Sequence, residues 1–360
     1  MKKNFCKALA LVLTASMLTA CGAASGTPTA TKTESSTDTA SNTAPETTDA
    51  TSTNYDDVEP EITLTLSHQM AENHSINTTA EYFANLVKEK SKGKIAVDVY
   101  PSATLGTETE NLQALTNGTL DMAIIACEFY ANYVNEAGIF CLPYMYDSYD
   151  DCYDKLEGEA GDKVAKLVLD QTNVRILDYY VLAFRQIFTA DKEINSVNDM
   201  SGLIIRIPDS TTYKTTFSQL GASPTAVAWG ETYTALDTGV VSAVENTPES
   251  IMSASMQEVC KYVNVTNHLI APTTISISDS VYSKLTQEQQ QIISEAAAEA
   301  CEYGKNLTAD NSDANFEALK GAGLTVVETD TESMKNSINY DDYDCAKTDA
   351  GKEILSLLGK

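Results

Sequence analysis

A chain of 360 residues, 43% hydrophobic and 8% aromatic, has apolar surface enough for two ordinary domains and does not read as disordered or fibrous. Its formal net charge is −27, from 51 acids against 24 lysines and arginines, with no arginine-rich or strongly basic stretch. That balance argues against nucleic-acid binding and against attraction to anionic lipid. The acidity itself is read as a solubility feature and does not identify a ligand's charge.

The N-terminus has the three parts of an export signal. Lys2, Lys3 and Lys7 make a basic start, residues 8–18 are a short apolar run, and Leu18-Thr19-Ala20-Cys21 has the form of a bacterial lipobox. The run is too short for an ordinary membrane span. Residues 1–20 are therefore predicted to be a cleaved lipoprotein signal. Cys21 would become the lipidated N-terminus of an extracytoplasmic protein held at the cell membrane by its lipid alone; the alternative is a plain secretory signal in which Cys21 is incidental. Residues 21–58 are mostly Thr, Ser and Ala with scattered acids. They cannot bury enough surface to offset their ordering entropy and are predicted to be a disordered tether.

Folding is predicted to begin near Ile62, where ITLTL alternates as a strand and His68, Gln69 and Met70 follow in a loop. Ile76, Ala80, Phe83, Ala84 and Val87 recur at helical spacing, and Gly93 ends that helix. A strand over 95–99 is stopped by Pro101. A helix over 107–117 ends at Gly118, and 120–126 is a nearly continuous apolar strand, as in a sheet covered on both faces. Helices at 148–156 and 162–171 lead to a strand through 174–181. From Gly202 to Asn246 the pattern is strand (203–207), helix to Leu220, strand (226–229), helix (231–238) and strand (240–244), the alternation of a parallel α/β sheet. Pro208 stops the first of these strands, and Asp209 and Ser210 are placed to cap the helix after it. Ligands gather outside the carboxyl ends of such strands, where Arg206, Trp229 and Asn246 fall. A pocket for a carboxylate is therefore expected. A long helix over 287–319, rich in Ala, Glu and Gln, closes the pattern.

Other chemistries find no support. His68, His74 and His268 are the only histidines and lack zinc spacing; His268 is expected to be a buried hydrogen-bonding residue. The six cysteines beyond Cys6 and Cys21 show no CxxC, and free thiols are as consistent with them as disulfides. There is no nucleophile elbow, phosphate loop or nucleotide fingerprint. No metal or other cofactor is expected.

Six motifs, in order, carry a resemblance: LGTETENLQALTNGTLDM (105–122), LPYMY (142–146), MSGLIIRIPDS (200–210), LGASPTAVAWGETYTALDTGVV (220–241), ENTPES (245–250) and VCKYVNVTNH (259–268). Over about residues 62–339 the chain resembles the solute-binding subunits of tripartite ATP-independent periplasmic (TRAP) transporters, the DctP family that includes dicarboxylate and sialic acid receptors. The resemblance implies a two-lobed α/β binding-protein fold with a ligand cleft between the lobes and a long C-terminal helix. One lobe would take residues 59–182 and 272–311, the other 183–271 and 312–360. The implied partners are a small organic acid and the transporter's small and large membrane subunits.

By the same resemblance Arg206, in RIPDS, is the arginine that forks onto the ligand carboxylate, a task suited to a planar guanidinium. Arg185, in AFRQIF, is the second arginine; among apolar neighbours its bare charge would be costly. Asn246 hydrogen-bonds the same carboxylate, and Trp229, the one tryptophan, stacks on the ligand. Read without the resemblance, Arg206 is equally a structural ion pair and Trp229 a core residue. Gln69, Glu108, Ala126 and Asp209 match variable positions where ligand choice is made. An acid at Glu108 would repel a second carboxylate and accept hydroxyl donors, which favours a sugar acid such as a uronate over a C4-dicarboxylate or keto acid. A surface enzyme acting on an acidic metabolite is the competing class, but it needs a placed general acid or base that a histidine-poor pocket does not offer. A receptor feeding a sensor kinase is a third reading.

Overall fold

The computed structural model describes residues 55–360, residue 271 apart; the predicted signal, Cys21 and the tether up to residue 54 lie outside the described residues. Eleven strands occur among the described residues: β1 (Ile62–Ser67), β2 (Ile95–Tyr100), β3 (Met122–Ala126), β4 (Val174–Val181), β5 (Arg185–Thr189), β6 (Ile204–Ile207), β7 (Ser223–Ala226), β8 (Ala243–Asn246), β9 (Tyr262–Leu269), β10 (Pro272–Ser278) and β11 (Thr325–Glu328). They form two sheets, with orders β2-β1-β3-β10-β4 and β11-β9-β5-β8-β6-β7. The chain leaves the first sheet between Val181 and Arg185, returns between Leu269 and Pro272, and leaves it again after β10 to reach β11.

β3 shows why its sequence is continuously apolar. It lies between β1 and β10, so both of its edges are paired, and each of its faces meets a core. Met122 and Ile124 join one hydrophobic cluster while Ala123 and Ile125 join another, as the two-residue period of a strand requires. In the second sheet, β6 runs parallel to β7 and β8, as the alternation over 202–246 predicts. β5, however, is antiparallel to both β8 and β9, so the sheet is mixed. β7 also ends three residues earlier than predicted, at Ala226. Its partner β6 stops at Ile207 before Pro208, so beyond the bond from the Val227 N–H to the Ile207 carbonyl no ladder remains. Trp229 instead opens a 3-10 turn.

Helix α1 (Ser75–Lys90) buries Ile76, Ala80, Phe83 and Val87 on the face its spacing predicts. Helix α2 (Glu108–Asn117) starts in a capping box, Thr107 with Glu110, and ends at Gly118 in a left-handed conformation. Helix α3 (Gln287–Gly321) is 35 residues long, about 52 Å at 1.5 Å per residue. Ile293, Ala296, Ala297, Ala300 and Cys301 form its buried face. Gly304 continues that face, and a Cβ there would stand 3.0 Å from both Thr79 and Tyr180, so glycine is what lets α3 close on α1 and β4. Helix α4 (Asp349–Leu357) follows near the C-terminus. Its Ile354, together with Cys345, Ala346 and Leu358, packs in the cluster of Ala123, Ile125 and Val164, where the apolar side of α4 finds cover. All six cysteines in the described residues are buried and free.

Candidate functional site

A cleft with about 580 Å³ of unfilled space, counting its open mouth, lies where strand ends of the two sheets face each other. From the first sheet come Gln69 past β1, and Ala126 and Glu128 at and past the end of β3; Glu108 opens α2 beside them. From the second come Arg185 on β5, Arg206 on β6, Trp229 past β7, and Asn246 and Thr247 at the end of β8. Seven of the eight residues expected in a pocket therefore share one cavity. Asp209 is the exception: it is exposed, lines the adjoining mouth, and its carbonyl accepts from the Asn132 amide.

The two arginines are placed alike and partnered differently. Arg185 is 6% exposed, and its Nε and Nη2 meet the two oxygens of Glu245 at 2.5 and 2.8 Å. Burial opposes the charge of Arg185, yet Glu245 and the Tyr213 ring beside it hold its pKa above the ordinary value. The same burial would raise Glu245, but Arg185 and then His268 bring its carboxyl below the usual range. Arg206 is 3% exposed and has no such partner. Its Nε donates to the Val227 carbonyl at 2.9 Å, and its guanidinium lies 5.3 Å from the centre of the Trp229 ring. Among the described residues no carboxylate oxygen comes within 4.0 Å of it. Burial pushes it down to about 10, so it remains a cation at neutral pH, with Nη1 and Nη2 unspent.

Asn246 is held at the same face. In the parallel register Arg206 pairs with Val244, one pleat repeat before Asn246, so the two side chains project alike. The Asn246 Oδ1 accepts from the Thr247 N–H at 2.8 Å, which orients the amide nitrogen away from that bond. Beyond it, the helix Pro248–Ser253 is tied to α1: Glu249 accepts from the N–H and hydroxyl of Ser75, each at 2.7 Å, and Ser250 meets His74 at 3.0 Å.

Glu108 is buried rather than solvent-facing. Its Oε1 accepts from the Ala126 N–H at 2.8 Å and its Oε2 from the Gln69 amide. Burial, then the neighbouring carboxyl of Glu128, push it up to about 8. An acid whose folded-state pKa stands above its unfolded value favours the fold while both states are protonated, below about 4.5, and loses that advantage as pH rises toward 8. Wild type should therefore lose stability relative to Glu108→Gln over that window, by at most about 1.4 kcal/mol per pH unit, and level off above it. Parallel urea titrations between pH 5 and 9 measure the difference; a gap that widens only below pH 5 would contradict the assignment.

Three residues at or behind the cleft escaped the sequence reading. Glu128 is 3% exposed and stands 4.0 Å from Arg185, and Glu245 is fully buried behind the arginine it holds. His68 lines the cleft, bonded to Asn77 at 3.1 Å; burial pushes it down to about 4, so it is neutral. The available signal was position: Glu128 lies two residues past the apolar run of β3, and Glu245 directly before Asn246. His268 is buried as expected, with Nδ1 2.8 Å from the Thr266 hydroxyl. Among the described residues no cluster of three or more His, Cys, Asp or Glu is arranged to hold a metal.

Comparison with known proteins fits this geometry. The profile of the bacterial extracellular solute-binding protein family 7, DctP, matches residues 66–342. A solute-binding protein of Roseobacter denitrificans is 32% identical over 270 residues, 75% of this chain and 82% of its own. A crystal structure of a TRAP periplasmic solute-binding protein from that bacterium, with bound L-galactonate, matches with a TM-score of 0.78 at 29% identity, covering 84% of this chain and 99% of the other. Another, from Chromohalobacter salexigens with bound D-glucuronate, matches at 0.77 and 26% identity over 82% and 98% of the two chains. The C4-dicarboxylate-binding periplasmic protein of Rhodobacter capsulatus is 29% identical over 265 residues, 73% of this chain and 79% of its own. The chain belongs to solute-binding protein family 7, the DctP family, and is an extracytoplasmic receptor of the TRAP transporter class rather than an enzyme.

Proposed function

We propose that this receptor captures a hydroxylated sugar acid, of the uronate or aldonate kind, and hands it to the membrane subunits of its transporter. The observation that carries the reading is Arg206: a buried cation, roofed by Trp229, whose unspent nitrogens line a cleft and have no carboxylate partner among the described residues. A carboxylate reaching it would complete a bidentate pair in a low-dielectric site. Arg185 and Asn246 would complete the clamp and Trp229 would cover the ligand, while Gln69 and Glu108 shape the far side. The two lobes, 59–182 with 272–311 and 183–271 with 312–360, would close about the crossings between the sheets and desolvate the pair.

Relatives that bind L-galactonate and D-glucuronate support the sugar-acid choice. A dicarboxylate is the second reading, favoured by the Rhodobacter capsulatus relative. Against it, the acids Glu108 and Glu128 line the same cleft and supply no cation to pair with a second carboxylate. A thermal-shift screen of uronates, aldonates, keto acids and dicarboxylates tests the choice. A true ligand at a hundred times its dissociation constant should stabilise the fold by about 2.7 kcal/mol. Sugar acids should lead; a hit list of dicarboxylates alone would overturn the reading.

The receptor is further proposed to be tethered through Cys21 by a lipid, on the strength of Leu18-Thr19-Ala20-Cys21. Cys21→Ala should then move it from the membrane fraction to the soluble extracytoplasmic fraction. A variant that stays with membranes after a high-salt wash would rule out the anchor.

A further inference from the structure

We propose that Glu128, through Oε2, is the group that recognises a hydroxyl of the bound acid, and that it rather than Glu108 sets the preference for a hydroxylated ligand. This rests on the carboxylate capture proposed above.

Among the described residues three carboxylates are buried at or behind the cleft, and their oxygens can be followed one by one. Glu245 gives both to Arg185. Glu108 gives one to the Ala126 N–H and the other to Gln69. Glu128, on the short helix Cys127–Tyr130 that follows β3, lines the cleft at 3% exposure, and its Oε2 has no hydrogen-bond partner among the described residues. A buried carboxylate oxygen without a donor is costly, and folded proteins rarely leave one. Here the unfilled space beside it belongs to the same cavity that Arg206 lines.

The complementary group must bring a donor hydrogen, which an ionised second carboxylate or a keto oxygen lacks. An ammonium would bring one, but Arg185 stands 4.0 Å from Glu128 and would repel it. A hydroxyl both donates and accepts, so it meets Glu128 in either protonation state. The ligand this describes carries its carboxylate at Arg206 and a hydroxyl at Glu128.

Calorimetric titrations with D-glucuronate, L-galactonate and hexanoate, an acid of six carbons without hydroxyls, test this. Glu128→Leu, which keeps volume and removes the acceptor, should weaken both sugar acids by about tenfold or more, the loss of one hydrogen bond to a charged group. Hexanoate binding should be unchanged or stronger. Glu128→Ala, the variant to use should Leu impair folding, should show the same direction, and Glu108→Gln a smaller loss. Sugar-acid affinities within twofold of wild type in a folded Glu128 variant would overturn the inference and leave the carboxylate capture standing. Failure of wild type to bind either sugar acid would overturn both.

Discussion

Glu245→Ala should destabilise the folded protein by about 3–5 kcal/mol, the range for breaking a buried ion pair by removing one partner. Arg185 is buried with its Nε and Nη2 committed to Glu245, and the nearest other carboxylate, Glu128, stands 4.0 Å away. The substitution leaves a guanidinium in a low-dielectric site with its desolvation uncompensated. His268, whose Nε2 lies 3.5 Å from Glu245, loses its neighbour as well. Replacing both partners, as Arg185→Met with Glu245→Leu, should recover most of the loss, because an apolar pair of similar volume removes the stranded charge. Urea unfolding followed by the fluorescence of Trp229, the single tryptophan, reads both variants. A loss below about 1 kcal/mol for Glu245→Ala would mean that the pair behaves as a solvated surface bridge.

Much of the frame could be read in advance because it rests on local periodicity. The buried face of α1, the apolar run of β3 and the alternation from β6 to β8 each follow from how one element meets one core. β5 and β9 could not be read that way. Arg185–Thr189 is five residues beginning with a charge, and its strand character comes from pairing with β8 and β9, more than fifty residues away. The site divides on the same line. Arg206 was visible as a lone charge in an apolar strand ahead of Pro208. The role of Arg185 was half visible: its burial cost was foreseeable, but not that Glu245, 60 residues on, meets it. Asn246 was marked by its place at a strand's carboxyl end, while Gln69 and Ala126 came from resemblance alone, since nothing in their spacing marks a pocket. Glu128 reads in sequence as the polar end of a strand, and only the packing of Cys127–Tyr130 shows that it is buried with an oxygen to spare.

Arg206→Lys should cost about 2–5 kcal/mol in ligand binding, at least tenfold in affinity, while leaving the fold intact. The charge is kept, but a fork that can place two parallel hydrogen bonds on a carboxylate becomes a single compact ammonium. The bond to the Val227 carbonyl and the contact with the Trp229 ring are weakened together, so the cation is also less well aimed. The fold should tolerate this because the cores beside Arg206 are apolar and no carboxylate of the described residues depends on it. Isothermal titration of wild type and Arg206→Lys with D-glucuronate, after matching their melting curves without ligand, is the most direct measurement. Capture of the carboxylate by Arg206 predicts tight binding to wild type and at least a tenfold loss in the variant. Equal affinity in a folded Arg206→Lys would contradict it.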